Sequence, residues 1–210
     1  MPLTLVADQL TVTRGARAII DRLSFRVAAG EALVLTGPNG SGKTTLLRAV
    51  AGLLPTVSGS VHLDGGTAES TVGEQCHFVG HASAVKSKLT AAENIRFWCD
   101  VLGPVGGGPR PSIAAILGAF GLADLGSIPA DYLSAGQRRR LGLARLLAAP
   151  RPLWLLDEPA TSLDAASIAA LTTVIDRHLE AGNIAIIATH QSLAIARARV
   201  LDLTRREAAA

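Results

Sequence analysis

The stretch ALVLTGPNGSGKTT, residues 32 to 45, limits what this chain can fold into more than any other. Its apolar opening reads as a buried strand. The pattern from Lys43 to about Leu54, stopped by Pro55, reads as a helix. Between them the spacing GxxxxGK[ST] is complete across Gly37, Pro38, Asn39, Gly40, Ser41, Gly42, Lys43 and Thr44, with Thr45 following. Glycines let the backbone turn so that its N–H groups converge on a phosphate, and the helix N-terminus adds positive potential. Lys43 is expected to reach the β- and γ-phosphates of a nucleoside triphosphate, and the Thr44 hydroxyl to hold Mg²⁺.

A second segment completes that expectation. LWLLDE, residues 153 to 158, reads as a buried strand delivering Asp157 at its C-terminal end, where it can bind Mg²⁺ beside the phosphate loop. Glu158 is placed to act as general base on the attacking water. The pattern LLDE alone carries little information; together with the phosphate loop it carries much.

The rest of the chain reads as alternating blocks. Residues 3 to 36 give short strands, LTLVADQLTV, ARAII and LSFRVAAGEALVLT, the last divided by a turn at Ala28 to Glu31; SGSVHLDG adds one more. From about Thr90 the pattern is helical. Capping boxes occur at Thr90 with Glu93 and at Ser134 with Gln137, and a break, LGPVGGGPRP, occupies residues 102 to 111 before the helix SIAAILGAF. A helix from about Ala165 to Glu180 and the apolar strand IAIIAT follow. These blocks predict an α/β fold: a P-loop core with an antiparallel β part at the N-terminus and an inserted α-helical subdomain. The boundaries expected for the 210 residues are a core of 1–80 and 150–210 and a helical part of about 82–149, forming one domain.

Composition excludes several classes. No apolar run approaches the roughly 18 uncharged residues of a membrane span, and no signal peptide precedes the first strand, so a soluble or peripheral protein is expected. Cys76 and Cys99 form neither a CxxC nor a zinc pattern and read as reduced thiols. Net charge is +3, from 20 basic and 17 acidic residues, which is too mild to indicate nucleic acid. The run Arg138-Arg139-Arg140 reads as a solvated helix face.

The discriminating segment is Leu133-Ser134-Ala135-Gly136-Gln137. Its capping box explains Ser134 and Gln137 but not Gly136, since a first-turn glycine costs up to about 1 kcal/mol against alanine. A close approach of phosphate to the backbone would explain it. The segment resembles the signature of ABC-type ATPases, and the likeness extends over nearly the whole chain. Ser162-Leu163-Asp164 is similar to the D-loop, and His190, after IAIIAT, to the switch histidine at the γ-phosphate. The resemblance implies a head-to-tail dimer in which ATP lies between the phosphate loop of one copy and the signature of the other. It also implies an aromatic residue stacked on adenine near Val12 to Arg17. None is present, which leaves Arg14 or Arg17 to replace part of that contact.

His81 falls where the resemblance places the Q-loop glutamine. Mg²⁺ prefers oxygen ligands, so a histidine there implies slower or partner-gated hydrolysis. Gly80-His81, Lys86, Leu89-Thr90 and Glu93-Asn94 through Phe97 together resemble the ATP-binding subunit of the cytochrome c maturation haem exporter, the CcmA family; Thr189-His190-Gln191-Ser192-Leu193 agrees. The Q-loop position faces nucleotide, which argues against a haem-ligand role for His81 or His77. That family implies a peripheral place on the cytoplasmic face of a bacterial inner membrane, bound to a CcmB-like integral membrane subunit and other maturation proteins. ATP hydrolysis would drive release of a haem-loaded periplasmic chaperone. The helix in KSKLTAAENIRFW would lie near the membrane subunit. A small exporter for a peptide or drug would share the same catalytic residues, and only residues 80 to 97 argue against it. A ribosome- or DNA-acting ABC protein would bring tandem cassettes or long coiled-coil inserts, which are not seen. A degenerate subunit without turnover is disfavoured by the presence of Lys43, Asp157, Glu158 and His190.

Overall fold

The structure, a computed structural model, describes residues 1–15, 17–103 and 112–204. Most of the expected break at 102 to 111 therefore lies outside the described residues. The strands are β1 (Thr4–Arg14), β2 (Arg17–Ala28), β3 (Ala32–Thr36), β4 (Ser58–Asp64), β5 (Cys76–Val79), β6 (Leu153–Asp157), β7 (Ile184–Ala188) and β8 (Ala198–Asp202). The helices are α1 (Lys43–Val50), α2 (Ala91–Leu102), α3 (Ile113–Ala119), α4 (Ala135–Ala144) and α5 (Ala165–Glu180). Two compact units emerge. One comprises Met1–Gly80, Pro152–Pro159 and the chain from Ile175 on; the other comprises His81–Arg151 and Ala160–Val174.

The first unit holds both sheets. A three-stranded antiparallel sheet has the order β2-β1-β4, and a parallel sheet has the order β5-β6-β7-β3-β8. Every residue of β6 and β7 is buried, as continuous apolar strands covered on both faces must be. Leu33, Leu35, Leu46, Leu47, Leu155 and Ile186 form part of one core cluster with residues of the antiparallel sheet such as Leu5 and Leu10.

ARAII and LSFRV belong to one strand, not two. The polar pair Asp21-Arg22 between them is a bulge: Arg22 takes φ 45°, and its amide donates to Thr11 Oγ1 at 3.1 Å. Gln9, at φ 47° in the facing strand, donates its amide to Ser24 Oγ at 2.8 Å. β5 and β8 are two strands that periodicity does not reveal. CHFV is too short to show a pattern, and ARVLD alternates only weakly.

The second unit is helical. Its helices begin where the caps predict: Thr90 and Ser134 each complete a capping box, and the Ser112 hydroxyl accepts from the Ala115 amide. The arginine run is not a solvated face. Arg138 is exposed, but Arg139 is buried, and Arg140 donates to the carbonyls of Phe120 and Gly121 at 2.9 and 3.1 Å, closing the end of α3. Asn94 is 1 % exposed and fully engaged. Its Oδ1 accepts from the Lys86 amide, and its Nδ2 donates to the carbonyls of Lys86, Leu89 and Thr90, so it fastens the loop ahead of α2. Cys99 is buried and Cys76 half-buried, and the two are not joined in a disulfide. Among the described residues no helix is long and apolar enough to cross a membrane.

Within the first unit, the C-terminal half of α5 packs on β6 through Trp154 and His178. Their rings stack with centroids 3.8 Å apart and planes 13° from parallel. The carbonyl of Ile184 can only accept, so His178 Nε2 carries the proton it donates at 3.1 Å. Burial pushes the His178 imidazole down to about 4, against a smaller opposing effect of that hydrogen bond. The unfolded chain takes up this proton near pH 6.5 and the folded one near 4, so stability falls as pH drops through that window. Between pH 7.5 and pH 5 the loss attributable to His178 is about 2 kcal/mol. His178→Phe, which keeps the stack without a proton site, should flatten the dependence of urea unfolding free energy on pH by that amount. An unchanged slope would mean the imidazole is not the titrating group.

Candidate active site

The phosphate loop joins β3 to α1 within the first unit. Gly42 stands immediately before α1 at φ 103°, a conformation that only glycine adopts readily. A side chain there would also strike β2, since its Cβ would lie 2.9 Å from Ile20 Cδ1 and 3.0 Å from Ile19 Cγ2. α1 carries no acidic residue of its own in its first turn, so none of its own side chains offsets the positive potential of its N-terminus. Lys43, 8 % exposed, folds over the loop and donates from Nζ to the carbonyls of Gly37 and Pro38 at 2.7 and 3.1 Å. The Ser41 amide closes a turn onto Pro38 at 3.2 Å, while its hydroxyl is buried with no hydrogen-bond partner among the described residues. An unused hydroxyl, a buried ammonium and a bare helix N-terminus form an environment suited to a polyanion.

The carboxylates arrive on β6. Thr44 Oγ1 lies 3.0 and 2.9 Å from the two oxygens of Asp157, joining residues 113 positions apart. A hydroxyl beside a carboxylate is the hard-oxygen donor set that Mg²⁺ prefers, so these residues fit that ion. No group of three or more His, Cys, Asp or Glu among the described residues offers another metal centre.

Glu158, the next residue, takes φ 48°, a strained conformation for a non-glycine residue. Its amide donates to Ala188 O at 2.8 Å across the end of β7. The His190 amide lies 3.4 Å from Glu158 Oε2, and His190 Nε2 lies 3.5 Å from Oε1. Carboxylate and imidazole thus meet at the C-terminal ends of adjacent parallel strands, where open α/β sheets place ligands.

A cleft of about 260 Å³ runs past Asn39, Gly40, Gly42, Lys43, Thr44, Thr45, Asp157, Glu158 and His190. It also takes in Arg14 and Ile19, but not Arg17. Ile19 has no sequence signal of its own. It reaches the cleft only because β2 runs beneath Gly42.

The remaining motif residues belong to the second unit. Leu133 is buried; Ser134 and Gln137 exchange hydrogen bonds of 2.8 and 3.2 Å, which caps α4. Ala135 opens that helix, and a Cβ on Gly136 would lie 3.3 Å from the Ser162 carbonyl, so protein packing supplies a reason for that glycine. Ser162 takes φ 65°, and the Leu163 amide donates to Ala160 O at 3.2 Å. Asp164 accepts from the Ser167 amide at 2.8 Å; the hydroxyl and amide of Ser167 hold the Asp164 carboxyl below its ordinary range. His81 is exposed, and its carbonyl accepts from Arg139 at 3.3 Å. His77 is a buried residue of β5 in the first unit, paired in register with Trp154.

The ABC transporter family matches residues 20–161. A protein of Nitrobacter winogradskyi named cytochrome c biogenesis ATP-binding export protein CcmA is 47% identical over 192 residues, 91% of this chain and 94% of its own. Its namesake in Agrobacterium fabrum is 47% identical over 202 residues, 95% of each chain. Among solved structures, an ABC transporter ATP-binding protein from Pyrococcus furiosus superposes with a TM-score of 0.81 over 96% of this chain and 98% of its own. At 22% identity that likeness speaks to the fold alone. Family match, length-wide identity and fold agree: the chain belongs to the CcmA family of ABC transporter ATP-binding proteins.

Proposed function

We propose that this chain is the ATP-hydrolysing subunit of a membrane ABC transporter for haem export in cytochrome c biogenesis, coupling ATP hydrolysis to release of a haem-loaded periplasmic chaperone. The observation that carries the hydrolytic half is the convergence of Lys43, Thr44, Asp157, Glu158 and His190 on one cleft. The cargo half rests on relatives whose printed name is cytochrome c biogenesis ATP-binding export protein.

In this reading the chain forms a single ATP-binding domain with a core of 1–80 and 150–210 and a helical part of about 82–149. Amides of Gly37 to Thr45 and the N-terminus of α1 bind the phosphates of ATP. Lys43 exchanges the carbonyls of Gly37 and Pro38 for β- and γ-phosphate oxygens. Mg²⁺, held by Thr44 and by Asp157 through water, would neutralise charge on those phosphates. Glu158 accepts the proton of the attacking water, and His190 orients the γ-phosphate beside it. Leu133 to Gln137 serve the nucleotide of a second copy, with Ser162 to Asp164 at the seam between copies. His81, in the Q-loop position, makes turnover responsive to a CcmB-like membrane subunit and its maturation partners. The chain then works as a peripheral subunit on the cytoplasmic face of the inner membrane.

Glu158→Gln should bind ATP within about twofold of wild type yet hydrolyse it at least ~100-fold more slowly, because the water loses its base. In a host lacking this gene, covalent-haem staining of c-type cytochromes should return with wild type and not with Glu158→Gln. Stained bands that persist without the gene would assign the ATPase to another cargo. His81→Gln should retain ATP binding and raise hydrolysis in the absence of the membrane subunit. Loss of binding in that variant would remove His81 from the Q-loop position.

A further inference from the structure

Three consecutive arginines of α4 donate to three different backbone segments. Arg138 reaches Asp131 O at 3.4 Å, and Arg140 reaches the carbonyls of Phe120 and Gly121. These two tie α4 to the turn before it and to the end of α3. Arg139 reaches back 58 residues, where its Nη1 donates to His81 O at 3.3 Å. Arg139 is 5 % exposed, so its guanidinium has lost most of its water, and acceptors such as the His81 carbonyl offset that loss.

The same face of α4 carries a second contact. Gly142 stands three residues on, where a helix brings side chains back to one face. A Cβ on Gly142 would lie 2.6 Å from Ser83 O, 2.9 Å from Ser83 Cβ and 3.1 Å from Ser83 Cα. A glycine inside a helix is disfavoured against alanine, and this close approach supplies the reason for it. The segment is also held further along: Asn94 of α2 bonds the amide and carbonyl of Lys86, and Lys86 Nζ lies 4.4 Å above the Phe97 ring. The backbone at 81–83 is thus fixed on α4 while the His81 side chain stays exposed.

We infer that Arg139 is a positioning residue: together with the seat at Gly142 it fixes the His81 backbone on α4, and it sets the rate of ATP turnover through the His81 side chain without contributing to nucleotide binding. The inference rests on the reading above of His81 as the Q-loop position. Two lesions of different kinds test it on the full chain. Arg139→Met keeps the length of the side chain and removes its donors; Gly142→Ala leaves Arg139 in place and pushes Ser83 away. Arg139→Lys retains one charged donor group.

Amide exchange, read by mass spectrometry, should quicken at least ~tenfold over residues 82–84 in Arg139→Met and Gly142→Ala, and stay unchanged in α2 and α3. Both variants should lower kcat at least about threefold while KM and the affinity for the β,γ-imido analogue of ATP stay within about twofold of wild type. Arg139→Lys should recover part of kcat. In a His81→Ala background, which leaves no imidazole to position, Arg139→Met should lower kcat no further. Quickened exchange with kcat unchanged, losses that add fully to those of His81→Ala, or exchange raised throughout the helical unit with KM and kcat lost together would each overturn the positioning role. A His81→Ala variant that turns over like wild type would remove His81 from the Q-loop position, and this inference with it, while leaving the ATPase reading standing. Absence of ATP hydrolysis by wild type would overturn that reading as well.

Discussion

The contact between Thr44 and Asp157 depends on a constraint that no local segment contains. β3 and β6 are not neighbours in the parallel sheet; β7, the last of the three in sequence, lies between them. That order sets the first turn of α1, which follows β3, facing the carboxyl end of β6 across one strand. Two oxygens of a carboxylate then share one hydroxyl at hydrogen-bonding distance. Glu158 and His190 follow from the same order, because β6 and β7 are paired through Asp157 and Ala188. Continuous burial of both strands fixes that pairing, since no polar residue interrupts either run.

Two of the five non-glycine residues with positive φ among the described residues lie where the chemistry is expected. Glu158, the first residue after β6, and Ser162, four residues on, hold positive φ without being glycine. Conformations of this kind persist only where surrounding contacts over-determine them. For Glu158 that contact is the amide hydrogen bond to Ala188; for the segment after Ser162 it is the cap that Asp164 places on the Ser167 amide. Lys43 is held comparably, with its ammonium on two carbonyls of its own loop, so a buried cation is satisfied before any phosphate is present.

Legibility in the sequence followed the range of the interaction. The phosphate loop, the strand into Asp157, and the caps at Thr90 and Ser134 are local patterns whose physics is complete within a few residues. The bulge at Arg22 is not legible in the sequence, because a polar pair inside a strand looks like a turn until its partner strand supplies Thr11. The environments of Arg139 and Arg140 are not legible in the run of three arginines, because adjacent residues on a helix point in different directions and only the neighbours of each decide its environment. β5 had too few residues to show a period.

Sequence alone determined that a glycine-rich phosphate loop and a strand ending in two carboxylates belong to one α/β chain, because the spacing of each motif follows from backbone geometry and the chemistry of its residues; His190 entered only through the family resemblance. Tertiary structure decided what lies beside them. It brought Ile19 and Arg14 to the cleft, set the Ser162 carbonyl against Gly136, and buried Arg139 at the His81 carbonyl. These are contacts between segments distant in the chain, fixed by strand order and helix packing, and a one-dimensional pattern carries no record of them.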